Sequence, residues 1–83
     1  MARSIQVVVT PIQNGPLTPA LLGRFVRAKR TQAHLRIDDA AQLCGVSVET
    51  ISKIETAKGG VRMESLFRVL SGLGITLKVQ PWK

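Results

Sequence analysis

A chain of 83 residues has room for one small domain, and a core of that size gains from a second copy. Twelve basic residues against five acidic ones leave a charge of +7, which suits a polyanionic partner or simply a soluble basic surface. The single cysteine excludes an internal disulfide and a cysteine metal cluster, and no apolar run approaches the ~18 residues of a membrane span.

The opening, Met1 to Thr10, is too short and too β-branched for a signal peptide, so a cytoplasmic, nucleoid-associated location is expected. Residues 4–10, Ser-Ile-Gln-Val-Val-Val-Thr, have the composition of a strand, and Pro11 stops the run. Asn14-Gly15-Pro16 is a turn. Residues 1–17 therefore read as a strand and loop arm, with an unstructured tail as the alternative.

Thr18-Pro19 is a helix start, with Thr18 as the cap and Pro19 at the first helical position, where a missing N–H costs nothing. This first helix is expected to run to about residues 31–33. Leu22, Val26 and Ala33 share one face; Arg24, Arg27 and Lys29 lie on others. His34 and Leu35 connect to the next helix, and Asp38 and Asp39 stand favourably at its positive end.

Residues 38–55 read as two short helices joined by a turn. Ala40, Ala41, Leu43 and Cys44 give the first a compact apolar side that a second helix can cross closely. Gly45 supplies the left-handed exit, Val46 plugs the turn and Ser47 caps the second helix. Ile51 and Ile54 point inward, leaving Val48, Glu49, Ser52 and Lys53 outside. This is a helix-turn-helix arrangement, whose second helix usually enters a DNA major groove.

A loop with two glycines and two bases follows, then a fourth helix over 63–73 with Leu66, Val69, Leu70 and Leu73 at helical spacing. Glu64 and Arg68 pair on its outside, and Gly72 and Gly74 weaken and end it. In residues 75–80, Ile75, Leu77 and Val79 alternate with polar residues, as in a half-buried strand closed by Pro81. A lone strand needs a partner. The strand at 5–9 and the same strand of a second copy are both expected to contribute, forming a small sheet that ties a two-fold homodimer. The expected fold is thus mainly α: a four-helix, repressor-like helix-turn-helix domain over 18–74, with short N- and C-terminal β-strands, the latter (75–83) serving dimerisation.

From Leu22 to about Ile75 the chain resembles the Xre/phage-repressor family of helix-turn-helix proteins. The matching residues are Val26-Arg27-x-Lys29-Arg30, Leu35, Ala41, Gly45-Val46-Ser47, Thr50 through Glu55, and Leu66 through Leu70 to Leu73-Gly74-Ile75. Within it, a terminal strand in place of a fifth helix resembles the HipB-type antitoxins. The resemblance implies a dimeric repressor that binds its own operator and a HipA-type kinase toxin, with no cofactor. It also implies an ion pair between Arg30 and Glu55, whose segments must pack together.

Ser47, Val48, Glu49, Thr50 and Lys53 match the family's base-contacting positions. Lys53 can donate to guanine or phosphate, Glu49 can accept from cytosine, and Val48 and the Thr50 methyl can touch a thymine methyl. Alternatively, Glu49 and Lys53 form a surface ion pair with each other. Arg36, Lys58 and Arg62 flank the reading helix, as phosphate contacts or plain solvated charges.

The chain departs from the family in four places. Thr-Gln at the start of the second helix is Arg36-Ile37, and Ile37 cannot offer a phosphate-binding side chain. His34 replaces a glycine, and Arg62 replaces a capping Ser or Thr. A protein-interaction module that kept this fold without reading DNA is the competing function. An enzyme is not expected, because no acid, base and nucleophile converge. His34 reads as a corner residue and Cys44 as a small core residue. Trp82 or the outer helical surface would be where a toxin docks.

Overall fold

The computed structural model describes residues 5–82. Residues 1–4 of the arm and Lys83 of the C-terminal segment lie outside that range. Four helices follow in order: α1 (Pro19–Gln32), α2 (Ile37–Cys44), α3 (Val48–Glu55) and α4 (Met63–Leu73). Helix α1 packs on α3, while α2 packs on both α3 and α4. The core where they meet is built from Val26, Ala40, Ile51 and Val69, all fully buried, with Leu70, Leu73 and Cys44 around them.

Local chemistry sets each boundary. The Thr18 hydroxyl accepts from the Leu21 N–H at 3.1 Å, capping α1. Asp39 accepts from the Arg36 N–H at 3.2 Å at the start of α2, where its charge also suits the helix dipole. Helices α2 and α4 end alike. Gly45 (φ 70°) and Gly74 (φ 75°) turn left-handed, and the next residue donates back, Val46 to the Ala41 carbonyl at 3.0 Å and Ile75 to the Leu70 carbonyl at 2.8 Å. Gly72 lets α4 lie close to α2, since a methyl there would sit 2.6 Å from the Cys44 sulfur.

Helix α1 ends in the same way without a glycine. His34 has φ 59°, and Leu35 donates to the Arg30 carbonyl at 3.1 Å. This is the position where the resemblance expects glycine. A side chain in the left-handed region costs about 1–2 kcal/mol, part of which a glycine returns to the unfolded chain as entropy. His34→Gly is therefore expected to stabilise the protein by about 1 kcal/mol and raise the Tm by roughly 4–8 °C in a thermal melt.

Two expectations are corrected, and the terminal strands are not formed in the single chain. Among the described residues there is no strand: residues 5–13 and 75–82 have no regular secondary structure. A strand exists only through a ladder partner, and neither segment has one within a single chain. The dimer residues Ile75, Leu77 and Val79 accordingly sit on an unpaired segment, with Val79 82% exposed. Leu43 does not join the core; it is 59% exposed. It lies at the edge of the α2 stripe, about 100° around the helix from Cys44, while Ala40, Ala41 and Cys44 are buried and Ile37 packs against the core from the first turn. Ala33 caps α1 and is exposed, and the buried residue of that last turn is Thr31.

Burial pushes the Cys44 thiol pKa up, which keeps it neutral, and its Sγ lies 3.7 Å from the Val69 carbonyl. Glu64 and Arg68 pair at 3.5 Å on the surface, where such a pair adds only a few tenths of a kcal/mol. No helix among the described residues is long and apolar enough to cross a membrane.

Candidate functional site

Helix α3 is only eight residues long, and its two isoleucines decide its orientation. Ile51 (0% exposed) and Ile54 (7%) are one turn apart and bury against α1, α2 and α4. Their burial turns Val48, Glu49 and Ser52 to the solvent as one exposed face, with Lys53 half-buried at its margin. Ser52 belongs to this face, as its spacing of four from Val48 predicts, although it is not among the positions matched to base contacts.

The face starts at a well-made cap. The Ser47 hydroxyl accepts from the Thr50 N–H at 3.1 Å and lies 3.0 Å from the Thr50 hydroxyl. Both hydroxyls are thus held locally, which leaves the Thr50 methyl as the group it can offer a partner. Glu49 and Lys53 make no ion pair with each other among the described residues, although they stand four apart. Their charges remain available. The stem of Lys53 lines a shallow apolar groove of about 260 Å³ together with Leu17, Leu22, Ala57, Val61 and Leu66. A lysine packed along its stem and charged at its tip has fewer rotamers to lose on binding.

Three exposed bases lie on the segments that precede α2 and α4 and in the loop after α3. Arg36 is the N-cap of α2, Arg62 is the N-cap of α4, and neither side chain makes a cap hydrogen bond. Both are exposed, as is Lys58 in the α3–α4 loop. Each of these helix starts carries an exposed guanidinium beside its first-turn N–H groups, together with acidic residues in that same turn, Asp38 and Asp39 in α2 and Glu64 in α4. Ile37, where a glutamine would add a phosphate contact, instead packs on the core.

Behind the face, Arg30 of α1 holds the end of α3. Its Nε donates to Glu55 Oε2 at 2.6 Å and its Nη2 to Oε1 at 3.0 Å. Its Nη1 donates to the Leu35 carbonyl at 2.9 Å, so one guanidinium ties α1, the α1–α2 corner and the end of α3 together. The two side chains are 11% and 7% exposed. Gly23 also serves this crossing, because a methyl on it would collide with the last carbonyls of α3. A glycine between Leu22 and Val26, inside the helix and beside its apolar stripe, was the sequence signal for that close approach. Among the described residues no group of His, Cys, Asp and Glu is arranged to hold a metal.

Comparison with known proteins agrees with this geometry. The family model described as helix-turn-helix matches residues 26–80. The uncharacterized HTH-type transcriptional regulator y4mF of Sinorhizobium fredii is 32% identical over 62 residues, which is 75% of this chain and 82% of that protein. Two solved structures, described as a HipA-HipB-O2-O3 complex and a HipB-O4 20mer complex, each contain a chain with TM-score 0.71 and 20% identity. In both cases the match covers 86% of this chain and all of the other. The likeness to these structures is one of fold. The chain belongs to the Xre-type helix-turn-helix family of transcriptional regulators.

Proposed function

We propose that the chain is a dimeric, sequence-specific DNA-binding repressor of its own operon and the antitoxin of a HipA-type kinase toxin. The observation that carries the DNA reading is the α3 face. It is presented by two buried isoleucines and held at its far end by the Arg30–Glu55 pair, and Arg36, Lys58 and Arg62 are exposed at the starts of α2 and α4 and in the loop after α3. In this reading Ser47, Val48, Glu49, Thr50 and Lys53 meet base edges, and Ser47 also orders the start of the helix through its cap. The three flanking bases meet phosphates. Two copies would place two such helices in successive major grooves about 34 Å apart on a near-palindromic site. Residues 75–83 of each copy, through Ile75, Leu77 and Val79, tie the dimer. The HipB structures, described as complexes with a 20mer and with HipA, support the antitoxin role at the level of fold.

The test is a titration of DNA from upstream of the gene against a scrambled duplex at several salt concentrations. Preference for the upstream DNA, with steep weakening as salt rises, is the expected result. Lys53→Ala is expected to cost ~1–3 kcal/mol on the preferred DNA and much less on the scrambled one. Equal losses on both duplexes would make Lys53 a phosphate contact. For the antitoxin role, the product of the adjoining reading frame should co-purify with this chain; a frame unrelated to any kinase would sink that part.

A second reading has one observation in its favour. Ile37 is spent on the core where a phosphate-binding side chain is expected. Failure to bind either duplex at low salt would make the chain a protein-interaction module that neutralises its partner without reading DNA.

A further inference from the structure

The N-terminal arm is fastened to the last turn of α1 by two side chains. Thr31, 3% exposed, accepts from the Val8 N–H through Oγ1 at 2.9 Å and donates to the Arg27 carbonyl at 2.9 Å. Gln32 Nε2 donates to the Val8 carbonyl and to the Thr10 hydroxyl, each at 2.9 Å. The N–H and C=O of Val8 thus face the same side, as they do in an extended residue. In such a chain the neighbouring residues turn their N–H and C=O groups the opposite way. Among the described residues the backbone groups of Val7 and Val9 have no hydrogen-bond partner. The arm is therefore half of a strand pair: one edge is held by α1 and the other is open.

The C-terminal segment offers a match. Residues 5–10 and 75–80 are each six residues long, each starts with isoleucine, and each is followed by proline. Four of the exposed apolar side chains lie on them: Val7 (49%), Val9 (84%), Leu77 (39%) and Val79 (82%). Among the described residues the two segments make no hydrogen bond with each other in one chain, and the backbone of residues 76–80 makes none at all.

We infer that the open edge of the arm receives residues 75–80 of a second copy as an antiparallel strand, with Val7 opposite Val79 and Val9 opposite Leu77. This deepens the dimer reading above and rests on it. The register follows from three observations. The open amides belong to Val7 and Val9, so those residues form the hydrogen-bonded pairs. This alignment puts the four exposed apolar side chains on one face; a slip of one residue would set Val7 and Val9 against Lys78 and Thr76. The ladder also ends where donors run out. At one end Pro81 faces Ile5. At the other Pro11, which has no N–H, faces Ile75, whose N–H is already given to the Leu70 carbonyl at 2.8 Å. Two-fold symmetry makes the pairing twice per dimer. Thr31 and Gln32 then set the strength of the dimer from within α1 by holding the arm in place.

The test uses the whole chain with Cys44→Ala, carrying Val9→Cys in one preparation and Leu77→Cys in a second of different tag length. Hydrogen-bonded antiparallel pairs have Cα atoms about 5.5 Å apart, within disulfide range. The mixture, oxidised, is expected to give a crosslinked heterodimer, and Val8→Cys mixed with Leu77→Cys is not. Gln32→Ala is expected to weaken the dimer about tenfold in sedimentation, as loss of two hydrogen bonds implies. Crosslinks found only within a doubly substituted Val9→Cys, Leu77→Cys chain would overturn the inference, as would a dimer that gives no product. A chain that sediments as a monomer would instead overturn the dimer reading itself.

Discussion

Glu55→Ala is expected to destabilise the protein by about 3 kcal/mol or more, a large share of what a domain this small has in total. The reason is the arginine left behind. Arg30 is 11% exposed at its side chain and makes two charge-assisted bonds to Glu55, at 2.6 and 3.0 Å. Removing the carboxylate leaves a guanidinium out of water with, among the described residues, only the Leu35 carbonyl as partner. A pair exposed at the surface would contribute at most about 1 kcal/mol, so the size of the effect reports the burial itself. Chemical denaturation measures it: the midpoint should fall at unchanged slope. Replacing both partners together, Arg30→Met with Glu55→Leu, should recover much of the loss, because no charge is then left unpaired. An unchanged midpoint for Glu55→Ala would mean that water replaces the carboxylate freely.

The same pair marks how far the sequence could be read. Helix boundaries were legible because they rest on single residues with local chemistry. Thr18-Pro19, Ser47, Gly45 and Gly74 act within one turn, and each stands where its chemistry predicts. The inward stripes of α3 and α4 were legible from period alone. Side chains at the margin of a short helix were not, as Leu43 illustrates: eight residues fix a stripe's centre but not its width. Nor was the state of the two terminal segments. Strand composition in residues 5–10 and 75–80 records a preference that only a partner can satisfy, and a single chain supplies none. The contacts of Thr31 and Gln32 to Val8 were silent for a different reason. They join positions more than twenty residues apart through side chains with no periodic signature.

Gly23→Ala is expected to cost about 3 kcal/mol, at the upper end for overpacking, although helix propensity argues the other way. In an isolated helix, alanine is favoured over glycine by about 1 kcal/mol. Here α1 crosses the end of α3 at Gly23. A methyl on it would stand 2.9 Å from the Glu55 carbonyl oxygen and closer still to that of Ile54. These are backbone atoms, so no rotamer change relieves the contact; the helices must separate. Separation also stretches the Arg30–Glu55 bonds, which join the same two helices, so the losses of Gly23→Ala and Glu55→Ala should not add. It further tilts the outward face of α3, so DNA affinity should fall even at temperatures where the variant stays folded. Denaturation and the DNA titration on one preparation separate the two effects. A variant more stable than the parent would mean that propensity outweighs the crossing and that α1 does not set the position of α3 through this contact.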